Sequence, residues 1–100
     1  MAWFAVFATD RPGMGEVRAA VRDAHRQRLR EHDHPVTVRL GGPTLDDQGQ
    51  MNGSLLVIEA ENRADVEAFL SGDPYVEAGL YDRTEIRAWN WGLGKPEELS

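Results

Sequence analysis

The chain opens with a run that is apolar at both parities. In Trp3 to Thr9, WFAVFAT, one set holds Trp3, Ala5 and Phe7 and the other Phe4, Val6 and Ala8. In an element of period two this predicts a strand covered on both faces and therefore central in its sheet. DRPGMG then breaks the pattern at Pro12, Gly13 and Gly15. From about Glu16 to His32 the period becomes helical, with Val17, Ala20, Val21, Ala24 and Leu29 as the predicted inner stripe. Glu16 at the start and arginines near the end suit the helix dipole, and Pro35 stops the helix. Val36, Val38 and Leu40 alternate with Thr37 and Arg39, which predicts a strand with one dry face. GGPTLDDQGQMNG reads as a turn-rich connection, and SLLVIEA, Ser54 to Ala60, as a second strand apolar on both sides. Asn62 is placed to cap a second helix, with Asp65 three residues on and Val66, Phe69 and Leu70 facing inward. Gly72 is placed to end that helix in a left-handed conformation. Residues 74–79 suggest a short extra turn, and Tyr81 to Trp91 the last strand.

The predicted order is therefore β-α-β-β-α-β with strands one and three central, the split βαβ pattern of a ferredoxin-like α+β fold. Such a domain has a four-stranded antiparallel sheet with two helices on one face. Yet strands one and three are apolar on both faces, and no spare element remains to cover the second. A second copy of the sheet is the economical cover, so a homodimer packed sheet to sheet with two-fold symmetry is expected. Trp3, Trp89 and Trp91 are the bulky candidates for the cover or for a pocket rim.

A chain of 100 residues suggests one domain. Residues 1–92 are expected to form it, and residues 93–100, with Gly94, Pro96 and two glutamates, a loose tail. The longest apolar run, Trp3 to Ala8, is too short to cross a bilayer, and no basic leader precedes it. The absence of cysteine excludes disulfides and thiolate metal sites; a cytoplasmic location is the expectation. A net charge of −6 argues against a nucleic-acid surface. The arginines between Arg18 and Arg30 are interrupted by Asp23 and read as a solvated helix face.

Within the first helix, His25 lies four residues after Val21 and four before Leu29, so it faces inward. By position alone it reads as a core histidine satisfied by a carbonyl. Asp73, in Gly72-Asp73-Pro74 at the end of the second helix, reads as a turn residue. Both helices pack on one sheet face, so the two side chains are able to meet. A carboxylate beside an imidazole fixes its tautomer, and a histidine so held moves protons at physiological pH. His32 and His34 precede Pro35 at the frayed helix end, and His25 and His32 are about 10 Å apart along a helix axis, so no metal site is expected. Ser54 lacks a nucleophile elbow, and the glycines near Pro43 match no phosphate-binding loop.

Three segments, Arg22-x-x-His25 with Leu29, then GGPTLDDQGQMNGSLLVIEA, then DPYVEAGLYDRTEIRAW, together resemble the YCII-related (YciI-like) family in order and spacing. The resemblance implies a ferredoxin-like domain that dimerises as a dimeric α+β barrel, and a site centred on His25 and Asp73. Relatives that dehalogenate a chlorinated hydroxyquinol, and structural cousins that isomerise muconolactone, imply proton transfer on small cyclic compounds with no obligatory cofactor. Arg26 and Arg28 depart from the family pattern, which often has an apolar and an aromatic residue there. The expectation is a cofactor-free enzyme of lyase or isomerase type: His25 as acid and base, Asp73 orienting it, and Arg22, Arg39, Ser54, Tyr75 and Trp89 contacting substrate. The alternative is a non-enzymatic domain that binds a metabolite or a protein, with a structural His-Asp pair.

Overall fold

A computed structural model describes residues 1–99. Its elements are β1 (Ala2–Asp10), α1 (Gly15–Arg30), β2 (Val36–Leu45), β3 (Met51–Ala60), α2 (Arg63–Ser71), α3 (Pro74–Glu77) and β4 (Tyr81–Trp89), followed by a 3₁₀ turn over Glu97–Leu99. Of the expected tail, Ser100 lies outside the described residues. The sheet runs β2-β3-β1-β4 with every pairing antiparallel, so strands one and three are central, as their two apolar faces predicted.

Register decides which residues share a face. Phe4 opposes Ile58, Val6 opposes Leu56 and Ala8 opposes Ser54. This face carries the core, where Phe4, Val6, Leu56 and Ile58 meet Val66, Phe69 and Leu70 of α2, with Leu29 of α1 packed against them. Burying each large side chain stabilises the fold by about 1.5–3 kcal/mol. Gly53 secures the β1–β3 approach, because a Cβ there would collide with the carbonyl of Ala8.

The opposite face is only partly covered. Trp91 folds back so that its ring stands edge-on to Trp3, with centroids 5.5 Å apart, and Trp89 meets Trp91 at 4.8 Å. Phe7 and Leu40, opposite Leu55 and Val57 respectively, remain 46% and 44% exposed.

Three expectations change. GGPTL is not a loop: β2 continues through Gly41, Gly42 and Pro43 to Leu45, after a bulge between Val38 and Leu40. The true turn is Asp46–Gln50, where the Asp46 carboxylate accepts from the amides of Gln48 and Gln50. Pro43 sits on β2, an edge strand, where its missing N–H breaks no ladder. Gly72 is not left-handed, with φ −97°. Its lack of a side chain serves a close approach, since a Cβ would meet the Arg28 guanidinium at 2.6 Å. Finally, Ala20 and Ala24 are exposed, and the inner face of α1 buries Arg18 in addition to the expected His25.

Candidate active site

A helix that turns an arginine and a histidine inward needs partners for both, because an unpaired buried charge costs several kcal/mol. Arg18 and His25 are seven residues apart, two helical turns, so they lie on one side of α1. That side leans on α3, and the loop between α2 and α3 supplies the partner for His25.

The Nδ1 of His25 lies 2.8 Å from each carboxylate oxygen of Asp73. A carboxylate only accepts, so Nδ1 carries a proton, and in the neutral imidazole Nε2 is the nitrogen that bears the lone pair. Among the described residues Nε2 has no hydrogen-bond partner within the protein, and it is not sealed from solvent. Asp73 is 1% exposed. It is also the N-cap of α3, accepting from the amide of Tyr75 at 2.8 Å, with Pro74 at the first helical position. The turn role and the histidine-pairing role therefore belong to one carboxylate. Tyr75 stacks on the imidazole, ring centroids 3.9 Å apart and planes 18° apart, which fixes the third side of His25.

Arg18 is held by the end of β1. Its Nε donates to one oxygen of Asp10 at 2.7 Å and its Nη2 to the other at 2.9 Å. Nη2 also donates to Ser54 Oγ at 3.0 Å, and the guanidinium lies 4.6 Å from the centre of the Tyr75 ring. Burial works to lower the pKa of Arg18, and the hydrogen bond and charge of Asp10 outweigh it, so the pKa is raised. Ser54 Oγ accepts a second bond from the hydroxyl of Tyr81 at 2.8 Å. Burial pushes the phenols of both Tyr75 and Tyr81 upward, so both stay protonated at neutral pH; the Tyr75 hydroxyl accepts a long bond from Arg18 Nη1 at 3.4 Å.

Over this floor lies a cavity of about 290 Å³ between α1 and the β2–β3 hairpin. His25, Tyr75 and Ser54 reach it from below, Arg22, Arg26 and Leu29 from the helix, and Gly41 to Pro43 with Met51 from the hairpin. Five of the expected site residues are thus brought together: His25, Asp73 behind it, Arg22, Ser54 and Tyr75. Two are not. Arg39 pairs with Glu59 at 2.8 Å and does not line the cavity. Trp89 opposes Trp3 on the other face of the sheet. Arg18, Asp10 and Tyr81 were missed. Arg18 was legible, because a spacing of seven from His25 places it on the same side of the helix, whereas its interruption by acids suggested a solvated face. The partnership of Asp10 with Arg18 required the tertiary fold. Among the described residues no three of His, Cys, Asp and Glu converge as metal ligands, and His32 and His34 turn onto the ring of Phe69. No helix among them is long and apolar enough to cross a membrane.

Comparison with known proteins gives this geometry its context. The YCII-related domain matches residues 2–90. The chain is 32% identical over 90 residues to Protein YciI of Escherichia coli, an alignment covering 84% of this chain and 92% of that one. It is 33% identical over 85 residues to an uncharacterized protein of Haemophilus influenzae, covering 79% and 87%. Among solved structures it is similar to a 5-chloro-2-hydroxyhydroquinone dehydrochlorinase from Burkholderia phenoliruptrix in complex with 2,5-dihydroxybenzoquinone, with TM-score 0.78, 35% identity and coverage of 90% and 95%. An antibiotic biosynthesis monooxygenase with TM-score 0.57 and 8% identity, covering 91% and 98%, shares the fold alone. With a family match spanning nearly all of the domain and relatives aligned along most of their length, the chain belongs to the YCII-related domain family.

Proposed function

We propose that this protein is a cofactor-free enzyme of lyase or isomerase type acting on a small cyclic or phenolic compound. The observation that carries this is His25 lining a cavity of one-ring size, with Nδ1 held by Asp73 and Nε2 left without a protein partner among the described residues. His25 takes a proton from the bound ring through Nε2. In an isomerisation the proton returns at a neighbouring atom; in an elimination the electron pair instead expels an anion. Asp73 keeps the imidazole in the productive tautomer, Tyr75 fixes its plane, and Arg22 stabilises the oxyanion that develops. The solved dehydrochlorinase, bound to a hydroxylated quinone, supports the compound class. Arg39 and Trp89 have no part in this reading. The exposed apolar residues Phe7 and Leu40 on the uncovered sheet face support a sheet-to-sheet homodimer as the working form.

The test is turnover of a chlorinated hydroxyhydroquinone and of a muconolactone. His25→Ala is expected to lower the rate at least about a hundredfold, and a folded variant that keeps full turnover would remove His25 from the chemistry. The rival reading, a non-enzymatic binding domain with a structural pair, draws on the second duty of Asp73 as a helix cap. Asp73→Asn separates the two, because asparagine still caps but is neutral and no longer a carboxylate partner for Nδ1. Lost turnover with stability within about 1 kcal/mol supports catalysis; the enzyme reading fails if no compound of either class is turned over by the unmodified protein.

A further inference from the structure

The cavity beside His25 carries more positive charge than its chemistry as an acid–base site requires, and the surplus is unevenly neutralised. Arg18 at the floor is matched by Asp10. Among the described residues Arg22 has only the Met51 sulfur, at 3.8 Å, as a partner. Arg26 makes no hydrogen bond or ion pair among the described residues and is exposed at the mouth. Among the described residues no carboxylate lines the cavity, and Asp73 lies behind the imidazole, committed to it. Arg22 and Arg26 are four residues apart, so they are neighbours along α1, on either side of His25 in sequence, and two like charges at that spacing repel. This concentration stands in a chain of net charge −6, so it is local and not a product of overall basicity. A cleft lined by one sign of charge with low-dielectric walls focuses the field on whatever enters it. Here those walls are Leu29, Pro43 and Met51.

We infer that the cavity selects an organic anion: a ring compound bearing a carboxylate or ionised phenol, whose apolar body packs on Leu29, Pro43 and Met51 while Arg22 and Arg26 hold the charged group at the mouth. This rests on the reading of the cavity as a substrate site and adds the charge class and the residues that set it. Planar forked guanidinium groups suit a carboxylate better than an ammonium would. The same two arginines would draw the anion in by long-range attraction, an effect that salt weakens.

Titration calorimetry with gentisate and its neutral amide, gentisamide, tests the inference. The two probes share ring and hydroxyl groups and differ in one charge. The unmodified protein is expected to bind gentisate at least about tenfold more tightly, the span of one strong charge-assisted contact. The double variant Arg22→Gln, Arg26→Gln is expected to bring the two affinities within about twofold of each other. His25→Gln should keep the preference, since it removes the base and leaves both guanidinium groups. Equal affinity for the two probes in the unmodified protein, binding of neither, or a preference that survives the double variant overturns the inference. A preserved preference together with full turnover in His25→Ala would refute the acid–base reading alone and leave the anion selectivity standing.

Discussion

At the scale of single residues, the site is built by giving each buried polar group a partner that also does something else. Asp73 caps α3 while holding His25, and Asp10 ends β1 while neutralising Arg18. The Arg18–Asp10 pair shows how costly a missing partner is. Their side chains are 5% and 9% exposed, so Asp10→Ala leaves a buried guanidinium without its counter-charge. The expected loss is about 3–5 kcal/mol, read as a lower midpoint in urea unfolding. The double change Asp10→Ala, Arg18→Met should recover part of that loss, because an apolar side chain of similar length needs no counter-ion; no recovery would mean that the bonds of Arg18 to Ser54 and Tyr75 matter more than the ion pair. The His25–Asp73 pairing was legible in the sequence, since helix phase turned His25 inward and both helices were expected on one sheet face. The Arg18–Asp10 pairing was not, because it joins a strand end to a helix face through a turn whose path the sequence did not specify.

At the scale of elements, α1 departs most from its pattern. The apolar stripe predicted Ala20 and Ala24 inside; both are exposed, and Arg18 is buried beside the expected His25. Alanine adds little driving force on burial, whereas two polar residues with ready partners lose little by it, so the partners set the roll. The C-terminal end of α1 has a consequence for pH. His32 lies against the Phe69 ring, centroids 4.6 Å apart. Burial there, with the charges of His34 and Arg28, lowers its pKa below 6.5, against the opposing pull of the His34 amide and Asp33. The unfolded chain then binds more protons than the folded one as pH falls through that range, so stability is full above 6.5 and declines below it. Urea unfolding of the unmodified protein at about pH 7.5 and about pH 5.5 should show this fall. His32→Gln should flatten it; an unchanged slope would place the acid sensitivity elsewhere. In the β2–β3 hairpin the sequence reads as loop where the structure has strand, because Gly41, Gly42 and Pro43 are usual loop residues. They are tolerated in a strand here because β2 is an edge, and Gly41 admits Leu56 closely, a Cβ there lying 2.7 Å from its Cδ2. This extension is what gives the cavity its second wall.

At the scale of the whole molecule, one sheet face is packed by helices and the other is only partly covered by Trp91. A stable dimer needs about 800 Å² from each partner, and the uncovered face, with Phe7 and Leu40 exposed, is the candidate surface. Light scattering after gel filtration is expected to give twice the 11.2 kDa chain mass, and Phe7→Glu to give the monomer with its fold intact. A monomeric unmodified protein at micromolar concentration would dismiss the sheet-to-sheet assembly.

The sequence by itself determined the element order, the central places of β1 and β3, the inward turn of His25 and the cap at Asn62. Each is set by residues close along the chain, through side-chain period and local hydrogen bonding. Only the tertiary structure decided that Asp10 meets Arg18, that Tyr75 stacks on His25, that β2 runs on to wall the cavity, and that Arg39 and Trp89 stand apart from it. Those outcomes depend on register and helix roll, which are settled when distant segments compete for the same partners.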